Sequence, residues 1–135
     1  MRWLLDVNTL IALAHQGHAD HSRVMGWFAS LMRSKARLMT CAITEIGFVR
    51  VSIQAGFEND APDASETLRG LKDSSRIPFE LIPDSLGADR LPYFVSGAKH
   101  VTDGHLLELA TEFSSQLATL DRVSRELTSS HETMA

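Results

Sequence analysis

The chain has 135 residues, of which 44% are hydrophobic and 22% are charged, and it contains only four prolines. This composition is that of one globular domain and excludes a disordered or fibrous protein. Thirteen Lys and Arg residues against seventeen Asp and Glu give a formal net charge of −4, so bulk charge gives no sign of nucleic-acid binding. The single cysteine, Cys41, excludes an internal disulfide and favours a reducing compartment, here the cytoplasm.

The N-terminus superficially resembles a signal peptide, because a basic start precedes an apolar stretch. Asp6 and Asn8 interrupt that stretch, which argues against a signal peptide. No segment approaches the roughly 20 apolar residues that a membrane-spanning helix needs. We therefore expect no membrane association.

Hydrophobic patterning predicts alternating strands and helices in the first half of the chain. Short apolar runs followed by turns are read as strands, and apolar residues at helical spacing as helices. The predicted elements are a strand at 2–5, a helix at 7–14, an amphipathic helix from 21 to about 35, a strand at 37–41 and a helix that ends near residue 56.

The second half repeats this alternation, with one ambiguous segment. The predictions are a loop at 57–65, a weak helix at 65–72, a strand at 79–82, a helical turn with a glycine loop at 91–99, a helix from 103, a strand at 116–120 and a short helix at 122–127. Strands that alternate with helices predict an α/β fold with a parallel sheet. Residues 1–128 are expected to form the domain, and residues 129–135 a frayed tail.

Four acidic residues each lie at the end of, or just after, an apolar stretch: Asp6, Glu45, Asp103 and Asp121. Each has a structural alternative, because Asp is a favoured N-cap and acids in a first helical turn are stabilised by the helix dipole. Glu45 lies in an otherwise apolar run, so its charge requires a positive or hydrogen-bonding partner. All four are expected at one edge of the sheet, where open α/β folds place functional groups.

Several carboxylates that converge at one edge require a cation. Hard divalent ions such as Mg²⁺ and Mn²⁺ prefer carboxylate and water oxygens and leave positions for substrate phosphates. The chain has no Cys and His cluster with zinc spacing, which argues against zinc. The sequence therefore predicts a magnesium or manganese site.

The ordered motifs around these acids resemble those of the PIN-domain ribonucleases, and most closely the VapC-type toxins of toxin–antitoxin pairs. The motifs are Leu-Leu-Asp6-Val-Asn8-Thr9, Thr44-Glu45, Val-Thr-Asp103-Gly-His-Leu-Leu-Glu-Leu-Ala110 and Ala-Thr119-Leu-Asp121. The resemblance covers nearly the whole chain. It implies a PIN-like domain whose small parallel sheet of about five strands is sandwiched by helices, although patterning alone yields four.

The resemblance also implies a function. Asp6, Glu45, Asp103 and Asp121 would hold the metal and carry out hydrolysis of RNA phosphodiester bonds, with Asn8 and Thr119 as accompanying polar residues. Asn8 has the alternative of a helix first-turn residue, and Thr119 that of a strand residue. The implied partners are an RNA substrate, an antitoxin protein and a second copy of the chain.

Three further features have open interpretations. Arg50 follows Glu45 by about one turn and either approaches the acids as a substrate contact or lies at the surface. His105 is a candidate general base, but its place in a helical first turn favours a non-catalytic role. The basic run of Arg33, Lys35 and Arg37 is either solvated surface or a rim that guides the RNA backbone.

Two rival functions remain. A HAD-like phosphatase also begins with an Asp after its first strand, but it expects a second Asp where this chain has Asn8. A non-catalytic PIN-like module would bind RNA or protein without cutting, and weak metal binding with intact RNA affinity would favour it.

Overall fold

A computed structural model of the chain describes the backbone of residues 1–134 and the side chains of residues 1–128. Its centre is a parallel sheet built from β1 (Arg2–Leu5), β2 (Arg37–Thr40), β3 (Phe79–Leu81) and β4 (Gln116–Ala118) in the spatial order β3-β2-β1-β4. Leu4 of β1 is paired with both Met39 and Leu117. The predicted α/β fold with a parallel sheet is confirmed, and β1 lies inside the sheet.

The sheet has four strands within the described backbone, whereas about five were expected. Between β3 and the next long helix, the chain instead forms two 3-10 turns, Ala88–Arg90 and Ala98–His100. Pro83 and Pro92 interrupt this segment. Because proline cannot donate a ladder hydrogen bond, it disfavours a further paired strand here.

Within the described backbone, six α-helices surround the sheet: α1 (Val7–Ala14), α2 (His21–Leu31), α3 (Ala42–Gln54), α4 (Ala61–Ser74), α5 (Val101–Glu112) and α6 (Leu120–Met134). None of the described helices is long and apolar enough to cross a membrane. The side chains of the predicted frayed tail, residues 129–135, lie outside the described residues, so that expectation stays a prediction.

Two hydrophobic clusters sandwich the sheet. Trp3 and Leu5 of β1 point into the larger cluster, which α1, α2, α3, α4 and α6 complete. Leu4 points to the opposite face, where it packs with Leu106 and Leu109 of α5. This alternation along one strand is what a sheet covered on both faces requires.

The predicted loop at 57–65 is wrong in its second half, because α4 begins at Ala61. The Asp60 side chain caps this helix by accepting a hydrogen bond of 2.9 Å from the Asp63 N–H. Pro62 lies in the first turn, where its missing N–H costs no helical hydrogen bond. The polar residues of this segment are therefore a helix start and not a loop.

Candidate active site

The carboxyl ends of the strands bring several of the predicted residues to one edge of the sheet. Asp6 follows β1 directly, and its backbone N–H donates to the carbonyl of Ala118, the last residue of β4, at 3.0 Å. Thr119 comes next in the chain, and Thr40 ends the strand on the other side of β1. Asp6 therefore lies at the centre of the edge that the sequence predicted.

Asp6 is both a helix cap and a buried acid. Its Oδ1 accepts a hydrogen bond of 2.8 Å from the Thr9 N–H, which caps α1. The residue is only 8% exposed. Burial raises the pKa of Asp6 against the opposing effect of the Thr9 hydrogen bonds, and the negative charge of Asp103 raises it further. The capping alternative is thus correct, and the capping carboxyl group is also desolvated.

Asp103 lies in the first turn of α5 and is exposed. Its negative charge raises the pKa of Asp6, so the two acids are near enough to interact although they lie far apart in the sequence. Two like charges that share a site repel each other, and a cation between them would relieve the repulsion.

Glu45 lies in the first turn of α3 and has two in-chain partners. Its Oε2 accepts a hydrogen bond of 2.5 Å from Thr40 Oγ1 and forms an ion pair of 2.7 Å with Lys72 Nζ of α4. The expectation that this acid needs a positive or hydrogen-bonding partner is confirmed. Close packing supports its position, since a Cβ on Gly47 would lie 2.6 Å from a methyl group of Val7.

Asp121 and Thr119 belong to the start of α6. Thr119 Oγ1 accepts a hydrogen bond of 3.0 Å from the Arg122 N–H, as an N-cap does. The Asp121 side chain is 85% exposed and pairs with Arg125 of the same helix at 3.5 Å. The structure thus places Thr119 at the edge, but it orients the Asp121 carboxylate along its own helix.

Comparison with characterised proteins adds a second line of information. The chain is 39% identical to ribonuclease VapC38 of Mycobacterium tuberculosis over 121 residues, which span 87% of this chain and 84% of that protein. Ribonuclease VapC29 of the same species is 35% identical, over 90% of the chain and 86% of the relative. Ribonuclease VapC44 is 34% identical, over 90% and 87%. The chain belongs to the VapC ribonuclease family.

This membership confirms the resemblance seen in the sequence motifs and replaces the HAD-like alternative. No family-level sequence profile matches the chain. The matches to these relatives cover 87–90% of this VapC-family chain.

The donor chemistry of the site fits a hard divalent ion in part. No three His, Cys, Asp or Glu side chains among the described residues converge as a ready metal site. Asp6 and Asp103 nevertheless offer carboxylate groups near enough to interact, and neither forms an ion pair among the described residues. These two acids fit Mg²⁺ or Mn²⁺, while one oxygen of Glu45 is already occupied by Lys72.

Three other predicted residues make no contact with these acids among the described side chains. Asn8 and Arg50 are exposed on α1 and α3. His105 Nε2 lies 2.5 Å from Asp84 Oδ2, in a pair that is largely shielded from solvent. His105 therefore links α5 to the segment after β3, and its non-catalytic interpretation stays a prediction.

The basic run of Arg33, Lys35 and Arg37 lies at the amino edge of the sheet and therefore does not form a rim around the acids at the carboxyl edge. Arg37 opens β2, whereas Glu45 follows the carboxyl end of the same strand. Lys35 and Arg37 instead line a cavity of about 620 Å³ with Arg76, at the amino ends of β2 and β3. In a parallel sheet, these two edges lie on opposite sides of the molecule.

Lys72 is a functional candidate that sequence reasoning missed. Leu68, four residues earlier in α4, is buried, so Lys72 lies at the border of the packed face of that helix. Its pairing with Glu45 joins residues 27 positions apart, and no local pattern reveals such a contact.

Proposed function

We propose that this protein is a Mg²⁺- or Mn²⁺-dependent endoribonuclease that acts as the toxin of a toxin–antitoxin pair. The observation that carries the proposal is the buried Asp6 at the carboxyl edge of the sheet, with the charge of Asp103 close enough to act on it. The names of the relatives support the substrate, since each is called a ribonuclease.

In this proposal, Asp6 and Asp103 hold the ion, and Glu45 and Asp121 complete the acidic set. A bound divalent ion supplies activation of water and neutralisation of charge on the phosphate. Asp121 can turn toward the site at little cost, because its exposed ion pair with Arg125 contributes at most about 1 kcal/mol. Asn8 and Thr119 are the accompanying polar residues, and Arg50 is a candidate substrate contact.

The rest of the chain holds these acids in place. The cap that Asp6 forms on α1 fixes its carboxylate, which leaves one oxygen for a ligand. Thr40 and Lys72 fix Glu45 from two neighbouring elements. A site with fixed donors binds its substrate without reorganising, which is the main way that a protein assists phosphoryl chemistry.

The proposal extends to partners and location. Family resemblance supports a protein antitoxin, a homodimer and a cytoplasmic site of action. Co-purification with a small protein encoded nearby would support the antitoxin. A soluble and harmless protein expressed alone would argue against the toxin role.

The deciding experiment is cleavage of a structured RNA pool by the purified protein with Mn²⁺, Mg²⁺ or EDTA. We expect metal-dependent cutting that Asp6→Asn and Asp103→Asn abolish. The matched control is Asp60→Asn, which changes the N-cap of α4 in the same way as Asp6→Asn changes that of α1. Cutting by a cleanly purified Asp103→Asn protein would overturn the assignment. Intact RNA binding without Mn²⁺ binding would favour the non-catalytic alternative.

A further inference from the structure

An exposed aromatic loop, residues 91–95, lies beside the candidate active site. Tyr93 is 98% exposed and Phe94 is 60% exposed. Their rings meet edge to face with centroids 5.8 Å apart. Two adjacent aromatic side chains with this much exposure are unusual on a small domain, because each leaves apolar surface in water.

This loop is anchored to α5. Gly104 has no side chain, and a Cβ there would overlap Val95. The Val95 N–H donates to the Pro92 carbonyl at 3.0 Å and closes a turn. Arg90, just before the loop, pairs with Glu108 and Glu112 of α5 at 3.1 and 3.0 Å. Phe94 is therefore presented by a fixed turn.

Phe94 and Asp103 line the same cavity of about 300 Å³. Val95, Leu107 and Leu117 supply the rest of its apolar walls, and His100 lies with Asp103 as a polar group. A ligand that suits such a cavity has a flat ring to pack against the apolar walls and polar groups at the ring edge to face His100 and Asp103. Nucleobases are rings of this kind, and proteins bind unpaired ones by stacking them on aromatic side chains.

The cavity shares Asp103 with the candidate active site, which favours RNA as its occupant. An RNA strand whose phosphate lies at Asp6 and Asp103 carries its neighbouring bases past this cavity. A second protein chain seated on the same surface would have to supply a Lys or Arg side chain to balance the Asp103 carboxylate that it buries. An RNA strand bound there leaves Asp103 free to hold the proposed divalent ion.

We propose that the cavity between Phe94 and Leu107 binds an unpaired nucleobase of the RNA next to the phosphate that is cut. This inference rests on the proposed ribonuclease function. A base in a duplex cannot enter the cavity while it is stacked on its neighbours, so the cavity restricts cutting to unpaired segments.

The test measures binding in the Asp6→Asn protein, which keeps the RNA intact. Single-stranded RNA oligonucleotides that carry 2-aminopurine at one position each are titrated with this protein and with its Phe94→Ala, Phe94→Tyr and Met25→Ala derivatives. Met25 is an exposed apolar residue of α2, which packs on the opposite face of the sheet. Stacking of one base on an aromatic side chain corresponds to about a tenfold change in Kd or more.

We expect Phe94→Ala to weaken binding by about that factor and to remove the fluorescence quenching at one oligonucleotide position. Phe94→Tyr should keep both, and Met25→Ala should change neither. If the wild-type protein cuts RNA but Phe94→Ala leaves Kd, quenching and cutting unchanged, the base site is wrong and the nuclease stands. If Phe94→Ala changes only the oligomeric state in light scattering, the surface is a contact between copies, which also overturns the inference. If the wild-type protein neither binds nor cuts RNA, the proposed function fails first.

Discussion

At Asp6, the charged form that the proposed metal site needs is the form that burial disfavours. The raised pKa of Asp6 means that the folded protein disfavours the charged form, so the stability linked to this group is full below about pH 3.8 and is lost as the pH rises. Asn caps a helix as well as Asp does. We therefore expect Asp6→Asn to raise the midpoint of thermal unfolding at pH 7 by a few degrees, as about 1 kcal/mol does in a domain of this size.

Measuring the Asp6→Asn and wild-type midpoints again at low pH provides a control. At pH 3 the wild-type carboxyl is protonated in both states, so the difference in midpoint between the two proteins should shrink. Asp60→Asn, at an exposed cap, should give no comparable gain at pH 7. A midpoint for Asp6→Asn at or below that of the wild type would show that the cap depends on the charge.

Lys72 competes for the proposed metal site. Its ammonium group is 2.7 Å from Glu45 Oε2, so a divalent ion that binds Glu45 must displace it or approach it against like-charge repulsion. We expect Lys72→Met to tighten Mn²⁺ binding by about three- to tenfold, as measured by calorimetric titration, since nearby charges at partly exposed positions are worth about 1 kcal/mol. Lys35→Met, at the amino end of the sheet, is the control. Unchanged or weaker binding in Lys72→Met would assign Lys72 to holding Glu45 in position.

At the scale of elements, sequence patterning predicted every strand and helix but not all of their boundaries. Apolar runs and helical periodicity are local properties, so β1, α1 and the carboxyl-edge position of Asp6 followed from them. The start of α4 was missed because its cap, Asp60, and its first-turn proline also suit a loop. A polar segment that caps a helix and one that forms a loop contain the same residue types.

The contacts that shape the site were not predictable, because they join distant parts of the chain. The ion pair of Lys72 with Glu45 depends on how α4 packs against α3. The fixed position of Phe94 depends on Val95 meeting Gly104, and glycine in a helix gives no local indication of its neighbour. The role of Asp121 stays a prediction, since its carboxylate lies along α6.

At the scale of the whole molecule, α1 and α3 are joined by a buried histidine away from the acids. The His15 ring stacks on Phe57 and Phe48, with centroids 4.7 and 5.4 Å apart, and its Nε2 lies 2.9 Å from Ser52 Oγ. Burial lowers the pKa of His15 from its ordinary value of 6.5, against the opposing charge of Glu58. The folded protein therefore favours the neutral form of this histidine.

Folding stability should consequently fall as the pH drops below about 6.5. Between pH 6.5 and the lower pKa of the folded state, His15 is protonated in the unfolded chain but not in the folded chain. The free energy of unfolding therefore decreases by up to about 1.4 kcal/mol per pH unit over this range. Urea unfolding between pH 8 and pH 5 measures this slope. His15→Gln keeps a hydrogen-bonding group toward Ser52 but does not titrate, so its slope should be flatter, while His100→Gln at an exposed position should keep the wild-type slope. Equal slopes for His15→Gln and the wild type would place the acid sensitivity in other groups.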